Sequence, residues 1–95
     1  MLNIEEVYEL HDVIREDLLQ NQNELINRLL YYTHKYRSQD RLLDVNVGIF
    51  LNDNYQPTVQ IYLATKDVKI REQFIMNGNR IVDNNIIIKE YVTRD

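Results

Sequence analysis

The sequence predicts an α+β domain in the order α-β-β-α-β: a long N-terminal helix, a β-hairpin, a short second helix and a third strand. Three observations carry this. A stretch free of glycine and proline with helical apolar spacing runs from Asn3 to about Gln39. The period changes to two at Leu43. Turn formers then cluster from Asn52 to Pro57.

In the first stretch Ile4, Val7, Ile14, Leu18, Leu25, Leu29, Tyr32 and Tyr36 recur at helical spacing, and Tyr8, Leu10, Leu19, Ile26 and Leu30 widen the stripe to that of a helix packed on a sheet. Gln20-Asn21-Gln22-Asn23 interrupts it, and Asn21 followed by Glu24 could cap a second helix. A continuous helix is the preferred reading. About 35 residues at roughly 1.5 Å each give a rod of about 50 Å, longer than so small a domain is wide. Its overhang would need cover, and a homodimer through this helix supplies it.

Leu43, Val45, Val47, Ile49 and Leu51 alternate with Asp44, Asn46, Gly48, Phe50 and Asn52, and after the turn Val59, Ile61 and Leu63 alternate with Thr58, Gln60, Tyr62 and Ala64. Both core-facing sets are odd, so odd must pair with odd. Asp67 reads as the N-cap of a short helix carrying Val68, Ile70, Phe74 and Ile75, with Asn77-Gly78 at its C-terminus. In the last strand Ile86, Ile88 and Val92 are expected to face the core, and Ile87, Lys89, Tyr91 and Thr93 to face away. A right-handed crossover would set that strand beside the first, parallel to the second, in a split β-α-β sheet with both helices on one face.

Residues 58–92 resemble the second half of an RNA recognition motif, with a strand, a helix ending Met76-Asn77-Gly78, Ile81 and a final strand. The resemblance implies strand-helix-strand topology. Where that family carries base-stacking aromatics, this chain has Thr58, Gln60 and Leu63.

Ninety-five residues make one domain, 1–95, with 44% hydrophobic residues and a net charge of −4. Residues 1–27 carry seven acids and one base, a sum of −6, and residues 28–41 four bases and one acid, a sum of +3. That polarity suits a helix dipole. No apolar run is long enough to span a bilayer and no secretory leader is read at the N-terminus, so a cytoplasmic location without membrane association is expected. With no cysteine there are no disulfides, thiolate sites or thiol nucleophiles. Eleven Asn, eleven Ile and seven Tyr against one Ala suggest an AT-rich source genome.

Candidate chemistry is sparse. His11 and His34 are 23 positions apart and cannot share a metal in one helix. Ser38 lies one turn from His34 but has no oxyanion framework. Glu5, Glu9, Asp12 and Glu16 read as a solvated face. No cofactor, no metal and no catalysis are expected. Two surfaces remain. Phe50, Tyr62, Ile87 and Tyr91 gather on the outer sheet face if both helices pack on the other, and form the expected partner-binding surface. Lys35, Arg37 and Arg41 form a basic patch at the end of the first helix, interleaved with Tyr31, Tyr32 and Tyr36.

The expected function is that of a small interaction or regulatory protein that occupies the surface of another protein. In general character the chain is like phage- or mobile-element-encoded inhibitors of host machinery, anti-CRISPR proteins included. The alternative is a nucleic-acid-binding module using the outer sheet face and the basic helix end.

Overall fold

The computed structural model describes residues 2–37 and 42–91. Its elements are α1 (Ile4–Gln20), a single 3-10 turn (Gln22–Glu24), α2 (Leu25–Tyr36), β1 (Asp44–Leu51), β2 (Pro57–Ala64), β3 (Val68–Asn77) and β4 (Arg80–Glu90). Two helices against a four-stranded antiparallel sheet of order β1-β2-β3-β4 make the chain an α+β protein.

The N-terminal helix is broken. Asn3 caps α1 with a capping box to Glu6, but Asn21 caps no second helix with its side chain. It turns back instead, donating from Nδ2 to Asp17 O at 3.0 Å and to Asp17 Oδ1 at 2.8 Å, which closes the end of α1. The polar run thus has nothing to bury and becomes the hinge of a helical hairpin. Arg28 Nη2, 2.8 Å from Asp17 Oδ1, joins its two arms. The rod of the sequence reading does not form, and the case for a homodimer through that helix loses its premise.

The β1–β2 hairpin has the register that parity demands, with Val45 opposite Leu63, Val47 opposite Ile61 and Ile49 opposite Val59. Asn52 holds its turn, its Oδ1 accepting from the backbone of Asn54 and of Gln56 at 2.9 Å each.

Residues 68–77 are a strand and not the expected helix. Asp67 is no N-cap; with Lys66 it forms the tip of a tight hairpin, where Thr65 N donates to Val68 O at 2.9 Å and Thr65 Oγ1 accepts from Asp67 N and Val68 N. Val68, Ile70, Glu72, Phe74 and Met76 all point inward and are buried. The alternation was hidden because one inward position is a glutamate. Gly78, at φ +61°, lies in the β3–β4 turn, a conformation glycine adopts without strain. β4 pairs antiparallel with β3, so the crossover, the parallel pair and the implied RNA-recognition-motif topology are all replaced by an up-and-down meander.

The core lies between one sheet face and the helices, with α2 over β1 and α1 over β2 and β3. Ile14, Ile61, Leu63, Ile70, Val7 and Val68 are wholly enclosed. The helix layer leaves the middle of β4 uncovered, although Tyr8 of α1 donates to the Glu90 carboxylate at one end and Ile81 packs against the core at the other. Ile86 and Ile88, expected in the core, lie on the helix side but remain 44% and 43% exposed; Val92 is outside the described residues. No helix among the described residues is long and apolar enough to cross a membrane.

Candidate functional site: the uncovered sheet face

Successive strand residues point to opposite faces, so inward Val59, Ile61 and Leu63 turn Thr58, Gln60 and Tyr62 outward, and inward Ile70 and Glu72 turn Lys69 and Arg71 outward. The pairing then aligns rows across the outer face. One row runs Asn46, Tyr62, Arg71, Ile87; the next contains Lys69 opposite Lys89. Tyr91 lies just beyond, its N–H donating to Asp67 O at 2.7 Å.

Of the expected surface residues, Tyr62, Ile87 and Tyr91 therefore meet, and with Lys69, Arg71 and Lys89 they line an open depression of about 240 Å³. Phe50 does not join them. It sits opposite Thr58, four positions along the strands from Tyr62, about 13 Å at the usual strand rise. Phe50 is 39% exposed, and Thr58, its cross-strand partner, is buried.

The electrostatics are distinctive for an acidic protein. The Arg71 guanidinium carbon lies 5.4 Å from the centre of the Tyr62 ring and Lys69 Nζ 5.6 Å from that of Tyr91, both within cation–π range. Lys69 and Lys89 are directly cross-strand neighbours, an arrangement that repels. Among the described residues none of these three cations joins an ion pair, whereas Arg15 and Arg28 both do. An anionic group set over the depression would relieve the repulsion and meet three donors.

The basic helix end is separate, since α2 packs on the opposite sheet face. Lys35 is exposed, with Nζ 5.4 Å from the Tyr31 ring centre and 5.2 Å from that of Tyr36; hydrogen bonding to Tyr31 and then Tyr36 raises its pKa. Arg37 is exposed and Arg41 lies outside the described residues, as does Ser38. Tyr32 is core, stacked on Tyr36 at a centroid distance of 6.2 Å.

A second polar cluster, absent from the sequence reading, lies under α1. Glu72 is 1% exposed. Arg15 Nε donates to its Oε2 at 3.0 Å and Asn84 Nδ2 to the same oxygen at 3.1 Å, while Nε2 of buried His11 lies 3.0 Å from Oε1. Burial pushes the Glu72 carboxyl up, but the contacts from His11, Arg15 and Asn84 outweigh burial and hold it below the ordinary glutamate value. The cluster joins α1 to β3 and β4, with Arg15 and Asn84 at its solvent edge. Glu5, Glu9, Asp12 and Glu16 are exposed, and among the described residues no three His, Asp or Glu side chains converge as metal ligands.

Lys69 and Arg71 were missed because a helix at 67–78 would scatter them. Strand alternation from Val68 to Met76, with Glu72 counted as an inward residue, is the signal that aligns them with Lys89. No family model, curated protein or solved structure matches the chain.

Proposed function

We propose that this chain is a non-catalytic binding protein whose uncovered sheet face docks another protein through carboxylates on that partner. The observation that carries the reading is the cluster of Lys69, Arg71 and Lys89 around Tyr62, Tyr91 and Ile87, three cations that form no ion pair among the described residues of an otherwise acidic chain. Arg and Tyr are the residue types that interfaces favour. The cluster offers cations and rings that hold a partner, with no base or nucleophile pair in it. A regulatory or inhibitory action, as of a phage-encoded inhibitor that occupies a host surface, is the form of function such a face serves.

A protein is favoured over nucleic acid because one face each of Tyr62 and Tyr91 is occupied by Arg71 and Lys69, which leaves less open ring for base stacking. A net charge of −4 also opposes a polyanion at long range.

Affinity purification of the tagged chain from its native cell tests this, with nuclease treatment and with a Tyr62→Ala/Arg71→Ala variant in parallel. The expected result is a protein captured by the wild type, resistant to nuclease and reduced at least tenfold with the variant. Capture abolished by nuclease would support the nucleic-acid reading. Equal capture by a folded variant would remove the face from the function.

A further inference from the structure

We infer that the free edge of β4 pairs antiparallel with β4 of a second copy of the chain, about a twofold axis at Ile87, to give a continuous eight-stranded sheet. The inference is independent of the proposed function.

The backbone comes first. In an antiparallel pair, residues alternate between those that exchange both hydrogen bonds with the neighbour and those that point both groups away. Tyr91 N donates to Asp67 O, so odd-numbered residues of β4 bond to β3, and Ile86, Ile88 and Glu90 direct N–H and C=O to the open edge. The other edge of the sheet is treated differently. On β1 the outward residues are odd, and the outward carbonyl of Val47 accepts from Thr33 Oγ1 of α2 at 3.2 Å. Among the described residues the backbone of the β4 edge has one local contact, Asn84 N to Asp83 Oδ1 at 2.8 Å, and the Glu90 side chain accepts from the Tyr8 hydroxyl of α1.

Natural proteins blunt exposed edges with proline, bulges, charge or brevity. The one bulge among the described residues, at Ile75/Met76, precedes the regular run from Asp83 to Glu90, which contains no proline and centres on Ile86-Ile87-Ile88. All three isoleucines are exposed in the single chain.

The sequence of that run is complementary to itself. With Ile87 opposite its own copy, Ile86 meets Ile88, Lys89 meets Asn85, Glu90 meets Asn84 and Tyr91 meets Asp83. Every isoleucine pairs with isoleucine and no like charges face each other. Centring on Ile86 instead would set Ile87 and Ile88 against Asn85 and Asn84. The axis at Ile87 also fits the backbone, because outward-pointing Ile86 and Ile88 then form hydrogen-bonded pairs on either side of a non-bonded Ile87 pair. A self-complementary patch is what a twofold dimer requires, so the occupant is a second copy and not an unrelated strand. The sheet row Tyr62, Arg71, Ile87 would then run on into its own mirror sequence, joining two basic–aromatic clusters in one band.

The test uses mass and cross-linking. The wild type at about 200 µM, a concentration suited to an interface at the small end of the stable range, should scatter light as twice its 11.5 kDa. Ile87→Lys sets two ammoniums against each other and should return the monomer, and Ile86→Pro, which removes an outward N–H without touching the β3 ladder, should do the same. Because the chain lacks cysteine, Ile87→Cys should form a reducible dimer under mild oxidation at least tenfold faster than Asn85→Cys, since non-bonded pairs lie about 4.5 Å apart at Cα, within disulfide reach. A monomeric wild type, or a dimer that survives both disrupting variants, would overturn the pairing. Faster cross-linking by Ile86→Cys would overturn the axis at Ile87.

Discussion

Glu72→Ala is expected to cost about 3–5 kcal/mol of folding stability, the usual penalty for removing one partner of a buried charge network. Typical domains hold only about 5–15 kcal/mol in total. The loss is large because Arg15 and buried His11 are left facing a cavity, and Asn84 loses one of its two acceptors, keeping Gln73 O. A His11→Leu/Glu72→Leu double variant should be more stable than Glu72→Ala, since it fills the space and leaves no group on β3 to neutralise. The same carboxylate gives the protein an acid limit. Its pKa lies lower in the folded chain than in the unfolded one, so its contribution is complete above the ordinary glutamate value of about 4.3 and disappears as pH falls through the folded value. Urea titrations of the three proteins at pH 7, and of the wild type from pH 6 to pH 3, check both statements. A Glu72→Ala cost below about 1 kcal/mol would mean that the network contributes little.

Leu63→Ala should cost about 2–5 kcal/mol, while Ile88→Ala should cost under about 1 kcal/mol. Leu63 is fully enclosed between Val45 and Ile70 beneath the helices. Ile88 lies on the same sheet face, one strand beyond Ile70, but outside the helix layer. The contrast in a dilute, monomeric sample tests where the core ends. Equal costs would place β4 inside it.

How far the sequence could be read follows from where its periodicity was clean. The β1–β2 hairpin was legible to its register because Val45, Val47, Ile49, Val59, Ile61 and Leu63 alternate without exception. The helical region was legible in kind, and its weak point at Gln20–Asn23 was visible, but not that Asn21 would close α1 by bonding back to Asp17. β3 was lost to one residue. Glu72 at an inward position breaks the alternation unless His11 and Arg15, 61 and 57 positions away along the chain, are known to receive it. With β3 read as a helix, the meander became a crossover, and Lys69 and Arg71 vanished from the outer face. Tyr62, Ile87 and Tyr91 survived because parity in β2 and β4 fixes their side whatever lies between. Phe50 faces the right way too, but its distance from them depends on a row alignment that needed β3.

The most direct test of the outer face as the binding surface is lysine footprinting, because the chain's lysines, Lys35, Lys66, Lys69 and Lys89, divide between regions. Acetylation of the protein alone and bound to its captured partner is compared by mass spectrometry. Protection of Lys69 and Lys89 by at least about fivefold, with Lys35 on α2 as reactive as before, is the predicted result. Protection of Lys35 while Lys69 and Lys89 stay fully reactive would contradict it and move the binding surface to the helical side.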